Sequence, residues 1–246
     1  MRIFNIKFLA IFLGSVFFLI SKMSAQENIM VSSLDAKQRS LIAIAAQTAN
    51  GDLEGLKESL ALGLTSGLNI NEIKESIVHC YAYCGFPRSI RALQTFMSVL
   101  DERKAKGLND PLGLEASPVN SNDNKYDRGK MVLEKLTGIK ETGPKKGYAA
   151  FSPIIEVFLK EHLFADIFER DVLTFKDREL LTVSVIASIG EAEPMLSSHL
   201  NICMNVGLAP AQLQEFVRVI KPIVGKKKSK ATQKVLNVVL DSKKKE

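Results

Sequence analysis

Apolar residues recur at helical spacing over most of this chain, and no segment shows the strict alternation of a half-buried strand. Leu41, Ile42, Ile44, Ala45 and Ala46 predict a largely buried first helix. Asp35 reads as its N-cap, with Gln38 three residues on completing a capping-box pattern. Asn50-Gly51-Asp52 ends it. Leu56, Leu60 and Leu64 place a second helix over Leu53–Leu64, stopped near Gly67. Asn69 caps a third, whose Ile73, Ile77, Cys80, Tyr81 and Cys84 share one face. Gly85-Phe86-Pro87 ends that helix and starts a fourth through Leu100. Residues 101–125 are rich in Asn, Ser, Gly, Pro and charge and read as a linker. Tyr126–Leu136 is a short helix and Pro144–Tyr148 a loop. Phe151–Phe168 reads as one long amphipathic helix, with Ile154, Ile155, Phe158, Leu159, Leu163, Phe164 and Ile167 on its apolar face. Thr174 then caps the next helix, with Asp177 in its first turn.

The pattern repeats. Arg39–Leu100 aligns with Arg178–Leu240 across a single one-residue gap. Arg39-Ser-Leu-Ile-Ala-Ile matches Arg178-Glu-Leu-Leu-Thr-Val. Gly67-Leu, Glu75, Gly85, Ser89 and Leu100 recur as Gly207-Leu, Glu215, Gly225, Ser229 and Leu240, each 140 positions later. A helical unit built twice and packed on itself follows. Arg39 and Arg178 recur in both copies, which favours a structural ion pair. Glu179 and His199 do not recur: the first copy has Ser40 and Ser59 there. A chemical site, if present, belongs to the second copy.

The first 25 residues change the picture of where the protein works. Arg2 and Lys7 precede an apolar run from Phe8 to Ile20, too short to span a bilayer comfortably, and Ser21–Gln26 is small and polar. This predicts a signal peptide cut after Ala25 and export, to a bacterial periplasm. An uncleaved membrane anchor is the alternative, and the only membrane contact expected. Removing these residues lowers the formal charge from +6 to +3. Much of the remaining excess lies in Lys226-Lys-Lys-Ser-Lys and Lys243-Lys-Lys, which read as solvated helix ends or tails, with binding to an anionic surface as the alternative. No nucleic-acid motif is present, and the chain has no Trp.

The three cysteines leave alternatives open. Cys80 and Cys84 share an apolar helical face, where free cysteine packs as a small hydrophobe. Their i, i+4 spacing puts the Cα atoms about 6 Å apart, at the long end of disulfide geometry, so a bond would be strained. A redox role for the two remains an alternative. His79 is adjacent, but neighbouring helical residues diverge by about 100°, so it does not join both thiols around a metal. No metal and no cofactor are expected. Cys203 lies one turn after His199 and either packs or lines the same pocket.

Tyr126-Asp-Arg-Gly-Lys, Phe164-Ala-Asp-Ile-Phe, Asp177-Arg-Glu-Leu-Leu-Thr-Val, Ser198-His-Leu and Asn205-Val-Gly-Leu resemble the carboxymuconolactone decarboxylase family. So do Glu75 and Tyr83-Cys-Gly-Phe-Pro-Arg-Ser-Ile-Arg-Ala-Leu. The superfamily also contains the alkyl hydroperoxidase D proteins, and the likeness covers most of residues 34–240 as two repeats. It implies an all-α fold of two tandem repeats packed as a pseudo-dimer, in an oligomerising family. The hydroperoxidase branch uses a Cys-x-x-Cys ahead of a His, with a Glu on the preceding helix. Glu179 and His199 match that Glu and His, but the thiol positions fall near Glu191 and Pro194. A thiol peroxidase needs a thiolate nucleophile and a resolving thiol, so peroxidase chemistry is not carried over. The decarboxylase branch lacks those cysteines. Loss of carbon dioxide from its lactone leaves a carbanion that a His can reprotonate while a Glu orients it.

The expectation is therefore a signal peptide at 1–25, a first repeat at 26–100, a linker at 101–125 and a second repeat at 126–246. The favoured function is cofactor-free acid–base chemistry on a small carboxylate or lactone, with Glu179 and His199 catalytic. Arg88, Phe86, Arg178 and Cys203 are the expected substrate-binding residues. A decarboxylase-like lyase is favoured over a thiol peroxidase using Cys80 and Cys84, and over a non-catalytic binding or scaffold protein. Expected partners are a small-molecule substrate and further copies of the chain. An exported protein lies apart from cytosolic aromatic catabolism, so the family's reaction type is expected rather than its named substrate.

Overall fold

The computed structural model describes residues 33–119 and 121–244, so the expected signal peptide and its cleavage site lie outside the described residues. The first repeat folds as α1 (Ala36–Asn50), α2 (Leu53–Thr65), α3 (Ile70–Cys84) and α4 (Phe86–Ala105). The second begins with α5 (Lys125–Thr137), α6 (Gly147–Phe151), α7 (Pro153–Phe158) and a π-helix over Leu159–Ile167. It ends with α8 (Phe175–Ile189), α9 (Glu193–Asn205) and α10 (Pro210–Lys243). The described residues contain no strand. The fold is all-α, and its helices are the tandem repeat: α8 copies α1, α9 copies α2, and α10 copies α3 and α4 together. Gly225 (φ 78°, ψ 172°) breaks α10 where Gly85 (φ 82°, ψ 160°) separates α3 from α4.

Local chemistry sets the helix ends. Asp35 accepts from the Gln38 amide while the Gln38 side chain reaches back, and Asn69 and Glu72 do the same at α3. Thr174 accepts from the Asp177 amide at α8. The one-residue gap between the copies lies in a turn. Copy one passes from α1 to α2 through Gly51 in the left-handed region and Asp52 as N-cap. Copy two inserts Glu191 after Gly190, and Glu191 itself takes a positive φ of 57°.

Three segments depart from the sequence reading. The fourth helix continues past Leu100 to Ala105. The linker read over 101–125 begins inside that helix and docks on the first repeat: the Pro111 and Leu112 carbonyls accept from the Ile70 and Asn71 amides at the start of α3. Phe151–Phe168 is not one helix. Pro153 has no N–H, and Ser152 before it is extended (φ −134°, ψ 82°). The chain restarts there, and only Leu163, Phe164 and Ile167 of the supposed apolar face are buried, while Ile154, Ile155 and Phe158 are exposed.

The two copies do not fold as separate globules. Leu34, Ile42 and Ala46 of copy one pack into one core with Leu180, Val183, Leu200 and Phe216 of copy two. Leu181 and Val185 of copy two complete the core built on Leu41, Ile44, Leu56, Ile73 and Ile77. A third core joins Leu136, Phe164, Phe168 and Ile202. The ring of Tyr83 packs against all three. Reciprocal ion pairs mark the pseudo-two-fold relation: Arg178 of copy two bonds Glu75 of copy one at 2.7 Å, and Arg39 of copy one bonds Glu215 of copy two at 3.0 Å. Contacts of i with j and of j with i are what an isologous interface produces. Here duplication supplies that interface within one chain.

Candidate functional site

Glu179 sits in the first turns of α8, facing the core, with Arg178 beside it; both are fully buried. His199 lies midway along α9, and its Nδ1 is 2.8 Å from Glu179 Oε2. The His199 side chain keeps 16% of its surface exposed, against 0% for Glu179, so the pair has one wet and one dry end. With the imidazole neutral, Nδ1–H donates to the carboxylate. That leaves the Nε2 lone pair free to take a proton. Glu179 Oε1 is buried and has no hydrogen-bond partner.

Beside this pair runs a buried polar chain across the pseudo-two-fold. The Arg178 guanidinium donates to Glu75 Oε1 (2.7 Å), to the Arg170 carbonyl (2.6 Å) and to His79 Nδ1 (3.4 Å). Arg170 Nε adds bonds to both Glu75 oxygens at 3.0 and 2.9 Å. The Thr182 hydroxyl donates to the Arg178 carbonyl, so at 2.9 Å from His79 Nε2 it must accept from the imidazole. His79 is thereby held neutral with its proton on Nε2. Burial, then the charges of Arg178 and His199, push its pKa well below the ordinary value. Glu75, His79 and Tyr83 stand at i, i+4 and i+8 on α3, which aims all three at copy two. The Tyr83 ring meets His199 edge-on, with centroids 5.9 Å apart.

The other residues expected at the site lie elsewhere or are differently engaged. Arg178 is fully buried and its two terminal nitrogens are bound up with Glu75, the Arg170 carbonyl and His79, while its Nε has no partner. Arg88 lays its guanidinium over Gly51 at the end of α1. Its counterpart in copy two, Lys228, donates to the Ser188 carbonyl at the end of α8. Both are cations at a helix C-terminus, where the dipole favours them. Phe86 is exposed and stacks on Tyr81, 4.4 Å between centroids. Cys203 is fully buried, and burial followed by the nearby Glu179 charge raises its thiol pKa well above the ordinary value. Cys80 and Cys84 are free thiols, the latter donating to the Cys80 carbonyl at 3.2 Å. Burial pushes Cys80 well up and Cys84 to about 11. At pH 7 a thiol of that pKa is thiolate in only about one molecule in ten thousand.

Two features escaped the sequence. A second buried ionic cluster sits ahead of α8, where the Tyr126 hydroxyl donates to Glu156 at 2.6 Å and Lys145 and Lys160 also donate to that carboxylate. Burial raises the Glu156 pKa, but these three hydrogen bonds outweigh it and hold it at about 2. Lys160, almost wholly buried, reads from the sequence as an ordinary charged residue. The second feature is a cavity of about 130 Å³ at the start of α9, floored by Ile186 and Leu196, with Glu191, Glu193, Lys227 and Lys228 among its walls. Glu191 takes the positive φ of the turn that leads into α9.

A comparison with curated proteins finds no match. The pattern of the carboxymuconolactone decarboxylase family matches the chain twice, over residues 21–96 and 157–237, one match to each helical repeat. Together the two matches span more than half of the chain, and with the paired all-α repeats they establish that this protein belongs to the carboxymuconolactone decarboxylase family.

Proposed function

We propose that the protein is an acid–base catalyst of the decarboxylase type, acting on a small lactone or carboxylate without a thiol nucleophile. The observation that carries this reading is the 2.8 Å bond between His199 Nδ1 and the wholly buried Glu179. A carboxylate on Nδ1 fixes the tautomer and steadies the imidazolium, leaving Nε2 to exchange protons with a substrate. In decarboxylation the bond from carbon to the carboxylate breaks, and carbon dioxide leaves. The electron pair delocalises onto the conjugated lactone carbonyl. Protonated His199 then gives its Nε2 proton to carbon and recovers one from solvent through its exposed edge. The same groups run the reverse half-step, taking an acidic proton from an enol lactone. Against the thiol alternative stand the raised pKa values of Cys80 and Cys84. The apolar N-terminal run supports a periplasmic setting.

The test is deuterium incorporation from heavy water into five-membered enol lactones, followed by NMR, with carbon dioxide release measured on their carboxylated forms. His199→Ala should abolish the signal, and Glu179→Gln should lower it about 100-fold. Equal turnover by wild type and His199→Ala would refute the reading. Inertness of the wild type toward the whole lactone set would favour a binding or scaffold role instead.

A further inference from the structure

We propose that Tyr83, carried by the first repeat, is a substrate-contacting residue of the Glu179–His199 site, donating its phenol hydrogen to the substrate oxygen on which negative charge gathers. This rests on the proton-transfer reading above and extends it: the site is composite, and its electrophilic half comes from the other copy.

The first support is an unused donor. The Tyr83 hydroxyl is buried and makes no hydrogen bond, as is true of Glu179 Oε1. Thr182, the hydroxyl next to it, donates to the Arg178 carbonyl and accepts from His79; its second lone pair faces the phenol without forming a bond of normal geometry. A buried donor left without a partner destabilises a fold, so native proteins seldom keep one without a use for it. Burial, and then the Glu179 charge, push the phenol pKa well above its ordinary value, so the group stays a donor. Its ring is wedged where three cores meet, 5.4 Å from His79 and edge-on to His199. The ring is thus held in place before any ligand arrives, and a fixed donor is the requirement for electrostatic stabilisation of a developing oxyanion.

The second support comes from the duplication. Across the pseudo-two-fold, Tyr83 corresponds to Ile223, His79 to Val219 and Thr182 to Ala43, just as Glu179 corresponds to Ser40 and His199 to Ser59. One backbone arrangement occurs twice. At one occurrence all five positions carry groups that donate, accept or titrate. At the other, three are aliphatic and two are serines. Helix packing alone therefore does not require a phenol or an imidazole here. Glu75 and Arg178, by contrast, recur as Glu215 and Arg39, as interface residues should. The five that differ form one contiguous set drawn from both copies. Within it His79 is a positioning residue: it ties Arg178 to Thr182 and flanks the Tyr83 ring.

A ligand suited to this set is small and presents an acceptor oxygen to Tyr83 beside an exchangeable proton for His199. An enol lactone does so. When its C–H bond breaks, the proton passes to His199 Nε2 and the electron pair moves to the carbonyl oxygen, which Tyr83 hydrogen-bonds. The reverse transfer returns a deuteron in heavy water, and nothing is oxidised or reduced.

Two measurements on the purified chain test the proposal. In thermal unfolding, Tyr83→Phe should leave Tm within about 1 °C of wild type or raise it, because the lost hydroxyl bonds nothing. Tyr126→Phe, which removes a hydroxyl bonded to Glu156, should lower Tm by roughly 3–10 °C as the contrasting control. In deuterium exchange on 5-methyl-2(3H)-furanone, Tyr83→Phe should lose about 100-fold in rate. A fall in Tm of about 3 °C or more for Tyr83→Phe would mean that the hydroxyl is bonded internally, and would overturn the proposal. So would an unchanged exchange rate in Tyr83→Phe when His199→Ala abolishes exchange, which leaves the acid–base reading intact. Absence of exchange by the wild type identifies the opposite failure: the lactone reading falls, and the role of Tyr83 falls with it.

Discussion

The reciprocal ion pairs allow one interaction to be weighed at two burials within a single molecule. Glu75→Gln keeps the size of the side chain and one acceptor oxygen but removes the charge facing Arg178. That guanidinium is 0% exposed, its partner carboxylate 4%, and arginine does not escape by losing its proton. Stripping one member from a buried pair costs about 3–5 kcal/mol, because the other is left uncompensated. The bonds from Arg178 to the Arg170 carbonyl and to His79 survive, which places the expectation near the lower end, about 3 kcal/mol. Glu215→Gln makes the same chemical change opposite Arg39, whose side chain is 45% exposed. Water solvates that guanidinium when its partner goes, so the cost should be at most about 1 kcal/mol. At about 2–4 °C per kcal/mol for a body of this size, Tm should fall by roughly 6–12 °C for Glu75→Gln and by about 4 °C or less for Glu215→Gln. Urea unfolding followed by far-UV circular dichroism gives the free energies, provided the m-values match. The double variant Glu75→Gln/Arg178→Met should recover at least half of the loss, since the orphaned buried charge is itself removed. Losses for Glu75→Gln and Glu215→Gln within about 0.5 kcal/mol of each other would refute the argument that burial makes these pairs unequal.

Two further outcomes are expected. Gly129→Ala should destabilise by about 2 kcal/mol or more, although an exposed helical glycine would gain from that change, because the new Cβ would stand 1.8 Å from the Lys160 carbonyl oxygen; an unaltered urea midpoint would contradict the close approach of α5 to the π-helix. The pH dependence of stability should carry the signature of His79, whose pKa is depressed in the folded protein from an ordinary 6.5. As pH falls below about 6.5 the unfolded chain takes up a proton that the folded state refuses, so stability drops with a slope of up to about 1.4 kcal/mol per pH unit. His79→Val, the residue of the mirror position, should flatten the curve between about pH 6.5 and 5; an unchanged slope would show that His79 is not held neutral.

Much of the architecture is local, and local chemistry is written in the chain. Asp35 with Gln38, Asn69 with Glu72, and Thr174 cap their helices through bonds spanning three residues, so sequence alone places those starts. The recurrence of Arg39, Glu75 and Gly85 as Arg178, Glu215 and Gly225 likewise discloses a duplicated helical unit before any coordinate is known. Helical periodicity was misleading over Phe151–Phe168, where apolar spacing is consistent with one helix but Pro153 withholds the N–H that would continue it. The partners of the polar residues were not legible. Glu75 and Arg178 are 103 positions apart, as are His79 and Thr182. No spacing rule joins such pairs, because their proximity arises only when one copy docks on the other. The same docking buries the Tyr83 hydroxyl without a partner and ties Arg178 into an ion pair. Sequence by itself determined the helices of the two repeats and their duplication; the packing of copy on copy decided which side chains meet, because burial and long-range contact are properties of the assembled body and of no segment taken alone.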